Sequence, residues 1–142
     1  IERIKENFNV SSENKTLSSY SLIDAPRGAV ATNRNEYATS TYIFIPHNQI
    51  DSVLAGHASG IISFAYATVA SWYAKIAWLP IMLAGIDAIN VSLLRSYQNQ
   101  GYSVIKMNYI DHTEADRGSG GYVKWNNPTK IDTSIFHNVK KY

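Results

Sequence analysis

The sequence predicts an α+β domain in which two central apolar helices pack on a small β-sheet, with a polar N-terminal arm beside them. Three observations carry that expectation. Residues 49–100 have helical spacing and almost no charge, β-branched and aromatic runs flank them at 37–45 and 102–110, and a short β-prone run follows at 122–125. Strand, helical pair and strand in succession make a β-αα-β unit, whose crossover is long enough for parallel or antiparallel pairing.

The helical pair rests on two ridges. Ile50, Val53, Leu54, Ile61, Phe64, Thr68, Trp72 and Ile76 follow the i, i+3, i+4, i+7 rule, with His57 in the same row. Gly56 and Gly60, then Ser59, Ser63, Ala67 and Ser71, form a ridge of small residues on which a second backbone can close in. Between Ser52 and Ala74 there is no Asp, Glu, Lys or Arg; Lys75 interrupts, and the next charge is Asp87. Pro80 lacks an amide hydrogen and disfavours helical geometry at Leu79, so a break belongs near residues 78–80. The second helix is spaced at Met82, Ile86, Ile89, Leu93 and Tyr97, and Gly101 ends it.

A span of ~20 mainly apolar residues is enough to cross a bilayer. The serines, glycines and His57 of the first helix dilute it below that composition, and a central Lys75 is costly in lipid, so the competing expectation is a buried core helix. Trp72, Tyr73 and Trp78 cluster as interfacial anchors do.

Residues 1–36 are polar, without a sustained period, and are expected to form an arm or a removable propeptide; residues 37–142 are expected to form one domain. Ala25-Pro-Arg-Gly28 predicts a turn within the arm. The start at Ile1 fits a processed product. In the second half, 102–110 and 122–125 predict a hairpin with a long loop, the face of Ser103, Ile105, Met107 and Tyr109 being the better buried. Gly118-Ser-Gly-Gly121 reads as flexible loop, because it lacks the Lys-Ser/Thr ending of a phosphate-binding loop. The tail from Thr129 to Tyr142 is expected to add a strand or a short helix anchored by Ile131, Ile135 and Phe136.

Composition excludes several functions. Net charge is +2 and charged residues are 17%, below the ~25% usual for globular chains, and no Lys/Arg cluster exceeds Lys140 and Lys141. Nucleic acid is therefore not an expected partner. Without cysteine there is no disulfide, thiolate nucleophile or Cys-containing zinc site. The histidines at 47, 57, 112 and 137 form no zinc-ligand pair, and no serine sits in a G-x-S-x-G elbow, so neither metal nor cofactor is expected. The one reactive-looking group is Asp111, His112 and Glu114, followed by Asp116 and Arg117, and its bland counterpart is a solvated hairpin loop.

Three functional expectations follow. The first is a secreted bacterial effector, bacteriocin-like or toxin-like and antimicrobial. It acts at a target-cell membrane or membrane receptor through the helical hairpin, after a processing protease removes the arm. In that reading Trp72, Tyr73, Lys75 and Trp78 are membrane contacts, and Gly56, Gly60 and Ser63 are helix contacts. The second is a small toxin enzyme, a nuclease or hydrolase, using Asp111, His112 and Glu114; were His47, His112 and His137 to converge on one face, they could serve a metal-independent nuclease or a hydrolase. The third is an extracellular protein-binding or inhibitor domain whose helices are ordinary core.

Overall fold

The β-branched and aromatic run after Tyr37 forms an eight-residue strand that is buried along its whole length. A strand with no exposed face must be central and covered on both sides, and its surroundings meet that requirement. The computed structural model describes residues 22–56, 60–114 and 117–142. In chain order the elements are β1 (Leu22–Asp24), β2 (Ala29–Arg34), β3 (Ala38–Ile45), α1 (Ile50–Ala55), α2 (Gly60–Tyr73), α3 (Leu79–Asp87), α4 (Val91–Asn99), β4 (Ser103–Asp111), β5 (Gly118–Trp125), β6 (Lys130–Asp132) and β7 (Asn138–Lys141). Single 3-10 turns at His47–Gln49 and His112–Glu114 precede α1 and follow β4.

The fold class is mixed α+β. The main sheet has five antiparallel strands in the order β5-β4-β3-β2-β7, and β1 and β6 form a separate antiparallel ribbon. One face of the sheet, including Val30, Ile43, Ile45, Val104 and Ile110, packs on the helices through Ile61, Val69, Met82, Ile86 and Leu94. The opposite face, including Ala29, Tyr42, Phe44, Ile105 and Met107, is covered by the ribbon residue Ile131 and by Ile23, Ile135 and Phe136. Burial on both faces explains why β4 has no solvent face: Val104, Lys106, Asn108 and Ile110 are as buried as Ile105 and Met107.

Several expectations are corrected. Residues 22–36 are not a peripheral arm, since β2 lies between β3 and β7, and Val30 and Ala29 enter the cores on opposite faces. The remainder of the expected arm, residues 1–21, lies outside the described residues. Gly118-Ser-Gly-Gly121 is not loop but the first half of β5, in register with Ile110 back to Met107. The helical pair is four helices. Pro80 marks the start of α3, as its missing amide requires, but there are further breaks at Gly56 and at Asn90. The Asn90 side chain accepts from the Leu93 amide at 3.0 Å, an N-cap that starts α4 afresh. The Ala25–Gly28 turn forms, with Gly28 at φ +114° and its amide donating to the Ala25 carbonyl at 3.0 Å. The predicted hairpin of β4 and β5 and the strand in the tail are present.

Candidate functional site

The helix-facing row of the sheet runs from Val30 through Ile43 to Lys106 and Tyr122. A lysine in such a row is unusual, because removing an ammonium from water is costly unless acceptors and countercharge replace the lost hydration. Lys106 is 4% exposed, and its ammonium donates to the Ala88 carbonyl, the C-cap residue of α3. That carbonyl has no partner within the helix, and a cation suits the negative end of the helix dipole. The Tyr122 ring lies 5.0 Å from the ammonium, close enough for a cation–π contact. Burial lowers Lys106 to about 8 from the usual 10.5, and the Asp87 carboxylate opposes part of that shift. Tyr122 is held by the Asn90 amide, which donates to its hydroxyl at 3.0 Å; burial raises its pKa, and that hydrogen bond lowers it in part.

Lys106 stands on the floor of a groove of about 650 Å³ between α3 and β5. The groove exists because of glycine. On β5 the residues facing the helices alternate as Gly118, Gly120 and Tyr122, so the strand sends no side chain toward α3 until Tyr122 closes the end. A Cβ on Gly118 would meet Ile110 Cδ1 at 2.6 Å and Ile81 Cγ2 at 3.2 Å, whereas one on Gly120 meets only the Met107 carbonyl, at 3.0 Å. On the helix side Gly85 lets α3 settle onto Asn108, where a Cβ would fall 2.5 Å from the amide nitrogen. That nitrogen donates to the Met82 carbonyl at 2.7 Å and fixes the wall in place. Ile81, Ala84, Ile89 and Leu93 supply the apolar lining. A sequence reading passed over this site, because Lys106 resembles any solvated lysine in an alternating strand until α3 is laid across it.

The predicted site residues do not assemble into one centre. Asp111 turns to Thr113, accepting from its amide at 2.9 Å and its hydroxyl at 2.7 Å, which holds the carboxyl below its ordinary pKa. Glu114 pairs with Arg117. His112 shares a hydrogen bond with the Thr39 hydroxyl, Nε2 to Oγ1 2.6 Å, and its ring stacks on Trp78 at 4.8 Å and 15°. Among the described residues no carboxylate hydrogen-bonds the imidazole, and no group of three His, Asp or Glu could hold a metal. His47 lies at the other end of the sheet, where its amide meets the Ser103 hydroxyl, while His137 donates to the Arg34 carbonyl at 2.6 Å. His47, His112 and His137 therefore do not meet the condition of converging on one face; His57 and Asp116 lie outside the described residues.

Of the expected membrane and helix contacts, Tyr73 and Trp78 are buried, with ring centroids 5.6 Å apart, and Trp72 is half-buried beside a shallow hollow that Arg34 and His137 also line. Lys75, Gly56 and Ser63 are exposed. Gly60 packs not on a helix but on Tyr142, whose hydroxyl lies 1.7 Å from where its Cβ would be. Among the described residues no single helix is long and apolar enough to cross a membrane.

Fold and groove together define a mixed α+β domain with an antiparallel sheet, a cleft between α3 and β5, the outer strand among the described residues, and a buried cation in its lining. Comparison of the chain with models of protein families, with curated proteins and with solved structures gives no match in any of the three.

Proposed function

We propose that this protein is a non-catalytic binding domain whose working surface is the groove between α3 and β5, and that its ligand is elongated, largely apolar and singly anionic. The observation that carries the reading is Lys106, a cation in a groove whose helix wall is mainly apolar and whose other polar side chains, Asn90, Asn108, Ser119 and Tyr122, are uncharged, with the Ala88 carbonyl as its hydrogen-bond acceptor among the described residues. An ammonium has three donors, so an anion entering the groove would meet one already desolvated and positioned. Small, convergent polar groups in an apolar cleft are the usual form of a ligand site.

The probe is anilinonaphthalene sulfonate, which has an apolar ring system and one anionic group. Titrated into the full chain, it is expected to bind saturably, with affinity lowered at least tenfold by Gly120→Val, whose side chain would fill the groove. Circular dichroism and urea melts of the variant keep loss of binding separate from loss of fold. Equal binding by Gly120→Val and the parent chain, or no saturable binding, rejects the groove as the site.

A second reading, the secreted membrane-acting effector, draws on two bent helix pairs, His47–Ala55 with Gly60–Tyr73 and Leu79–Asp87 with Val91–Asn99, each of which reaches the length and apolarity of a span when its two helices are taken together. Against it stand the buried positions of Tyr73 and Trp78. Sedimentation with anionic and neutral vesicles discriminates: vesicle binding by the folded or protease-trimmed chain supports this reading, and a soluble chain under all conditions rejects it.

A further inference from the structure

Among the described residues β5 pairs only with β4 and is therefore an outer strand of the sheet. In an antiparallel pair every second residue of an outer strand directs its amide and carbonyl away from its neighbour. Folded proteins normally guard such edges with lysine, proline or a covering segment. Along Gly118-Ser-Gly-Gly121 there is no charge and no proline, and three of the four residues have no side chain to shield the backbone. Among the described residues no backbone hydrogen bond reaches the outward side of this half-strand, which lies beside the same groove that holds Lys106.

We infer that an extended peptide adds to the outer edge of β5 as a sixth strand, placing alternate apolar side chains against α3 and a free carboxylate at the Lys106 ammonium. The inference rests on the groove being the binding site and adds the chemical class of its occupant. Strand addition would supply main-chain hydrogen bonds without regard to sequence, and the groove would select the side chains. Ile81, Ala84 and Leu93 offer an apolar lining without a donor or acceptor on their side chains. Charge complementarity favours a carboxylate. Lys106 lies on the floor, Lys124 at the far end of the strand donates to Gln100 Oε1 at 2.8 Å, and Arg117 precedes the strand in its pair with Glu114. Among the described residues Asp87, exposed at the end of α3, is the acidic group acting on Lys106, and it disfavours a second negative charge.

The test uses the full chain and a hexapeptide pool with threonine at odd positions and mixed apolar residues at even ones. The pool is prepared with a free carboxylate, with a C-terminal amide, and with N-methylated even residues. Expected are saturable nuclear magnetic resonance shifts at the amides of Gly118, Gly120 and Gly121, with outward-facing amides exchanging at least tenfold more slowly. The amide pool should bind at least tenfold more weakly than the carboxylate pool in the parent chain but equally in Lys106→Met, and N-methylation should abolish binding. If anilinonaphthalene sulfonate binds but the peptides leave β5 unperturbed, or N-methylated peptides bind equally, strand addition is overturned while the groove reading stands. If neither probe binds, both fall. Equal affinity of carboxylate and amide pools overturns the part assigned to Lys106.

Discussion

The two outer strands of the main sheet are built in opposite ways. β7 carries Lys140 and Lys141, with the Lys140 ammonium 5.9 Å from the Phe64 ring centre. Beyond it the Tyr142 ring lies against Gly60 and under the Arg27 guanidinium, 4.2 Å away. β5 begins instead with four residues that carry no charge and present little but backbone. Both are edges of one sheet, so the contrast lies in side chains and not in topology. A lysine edge repels a second strand and makes it desolvate ammonium groups, whereas a glycine edge leaves pairing groups bare. Beside β5 the helix α3 also stands off far enough to leave a groove.

The contrast can be broken at the helix wall, with the largest expected effect. Gly85→Ala places a methyl group within 2.5 Å of the Asn108 amide, which is itself tied to the Met82 carbonyl. Overpacking of this kind costs about 1–3 kcal/mol, reduced in part by alanine's better helix propensity. Urea unfolding should therefore show a lowered midpoint with an unchanged slope. Unchanged stability would mean that α3 can shift away and that the groove wall is not fixed.

Lys106→Met sharpens the comparison by removing the buried cation while keeping much of the side chain's length. In the parent chain the unfolded lysine keeps its proton up to its usual 10.5, whereas the folded one releases it near 8. Between those values the unfolded state binds more protons, so this residue's contribution to stability rises with pH across that window and is at its least favourable below it. The stability of the parent chain relative to Lys106→Met should thus climb from pH 8 toward 10.5. A difference independent of pH would show that Lys106 is not held out of water.

The smallest effect on folding is expected at the other edge. Lys140→Thr with Lys141→Thr should leave unfolding free energy within about 0.5 kcal/mol, as surface changes usually do. Its consequence should appear instead in sedimentation velocity, as concentration-dependent association through the unguarded β7. A variant that stays monomeric at high concentration would show that the lysines are not what protects this edge.

Much of the fold was legible before any coordinates. β3 and β4 announce themselves by β-branched and aromatic runs, and the helical region by its spacing, with Pro80 marking a real boundary because a missing amide acts locally. β2 was hidden because Ala-Val-Ala-Thr is buried on both faces and shows neither alternation nor bulk. The Gly118–Gly121 half of β5 was hidden for a related reason: glycine has no strand preference of its own, and only pairing with β4 holds it extended. The break at Asn90 was written in the sequence as an N-cap, but the unbroken apolar spacing through Ile86, Ile89 and Leu93 concealed it. The Asp111, His112 and Glu114 group drew attention because its residues are neighbours in sequence. Each found its own partner, in Thr113, Thr39 with Trp78, and Arg117.

By itself, the sequence determined the fold class, the presence of an almost uncharged helical segment between two strands, and the lack of cysteine and of any Lys/Arg run longer than Lys140 and Lys141. These are properties of composition and short-range period, which need no partner to be read. Tertiary structure alone decided which edge carries lysines on the outside, which faces are buried, and that Lys106 is held out of water. Burial and strand neighbours arise from contacts between distant parts of the chain: Lys106 acquires its character from Ala88 and Tyr122, and the groove from Gly118 and Gly120 passing beside α3.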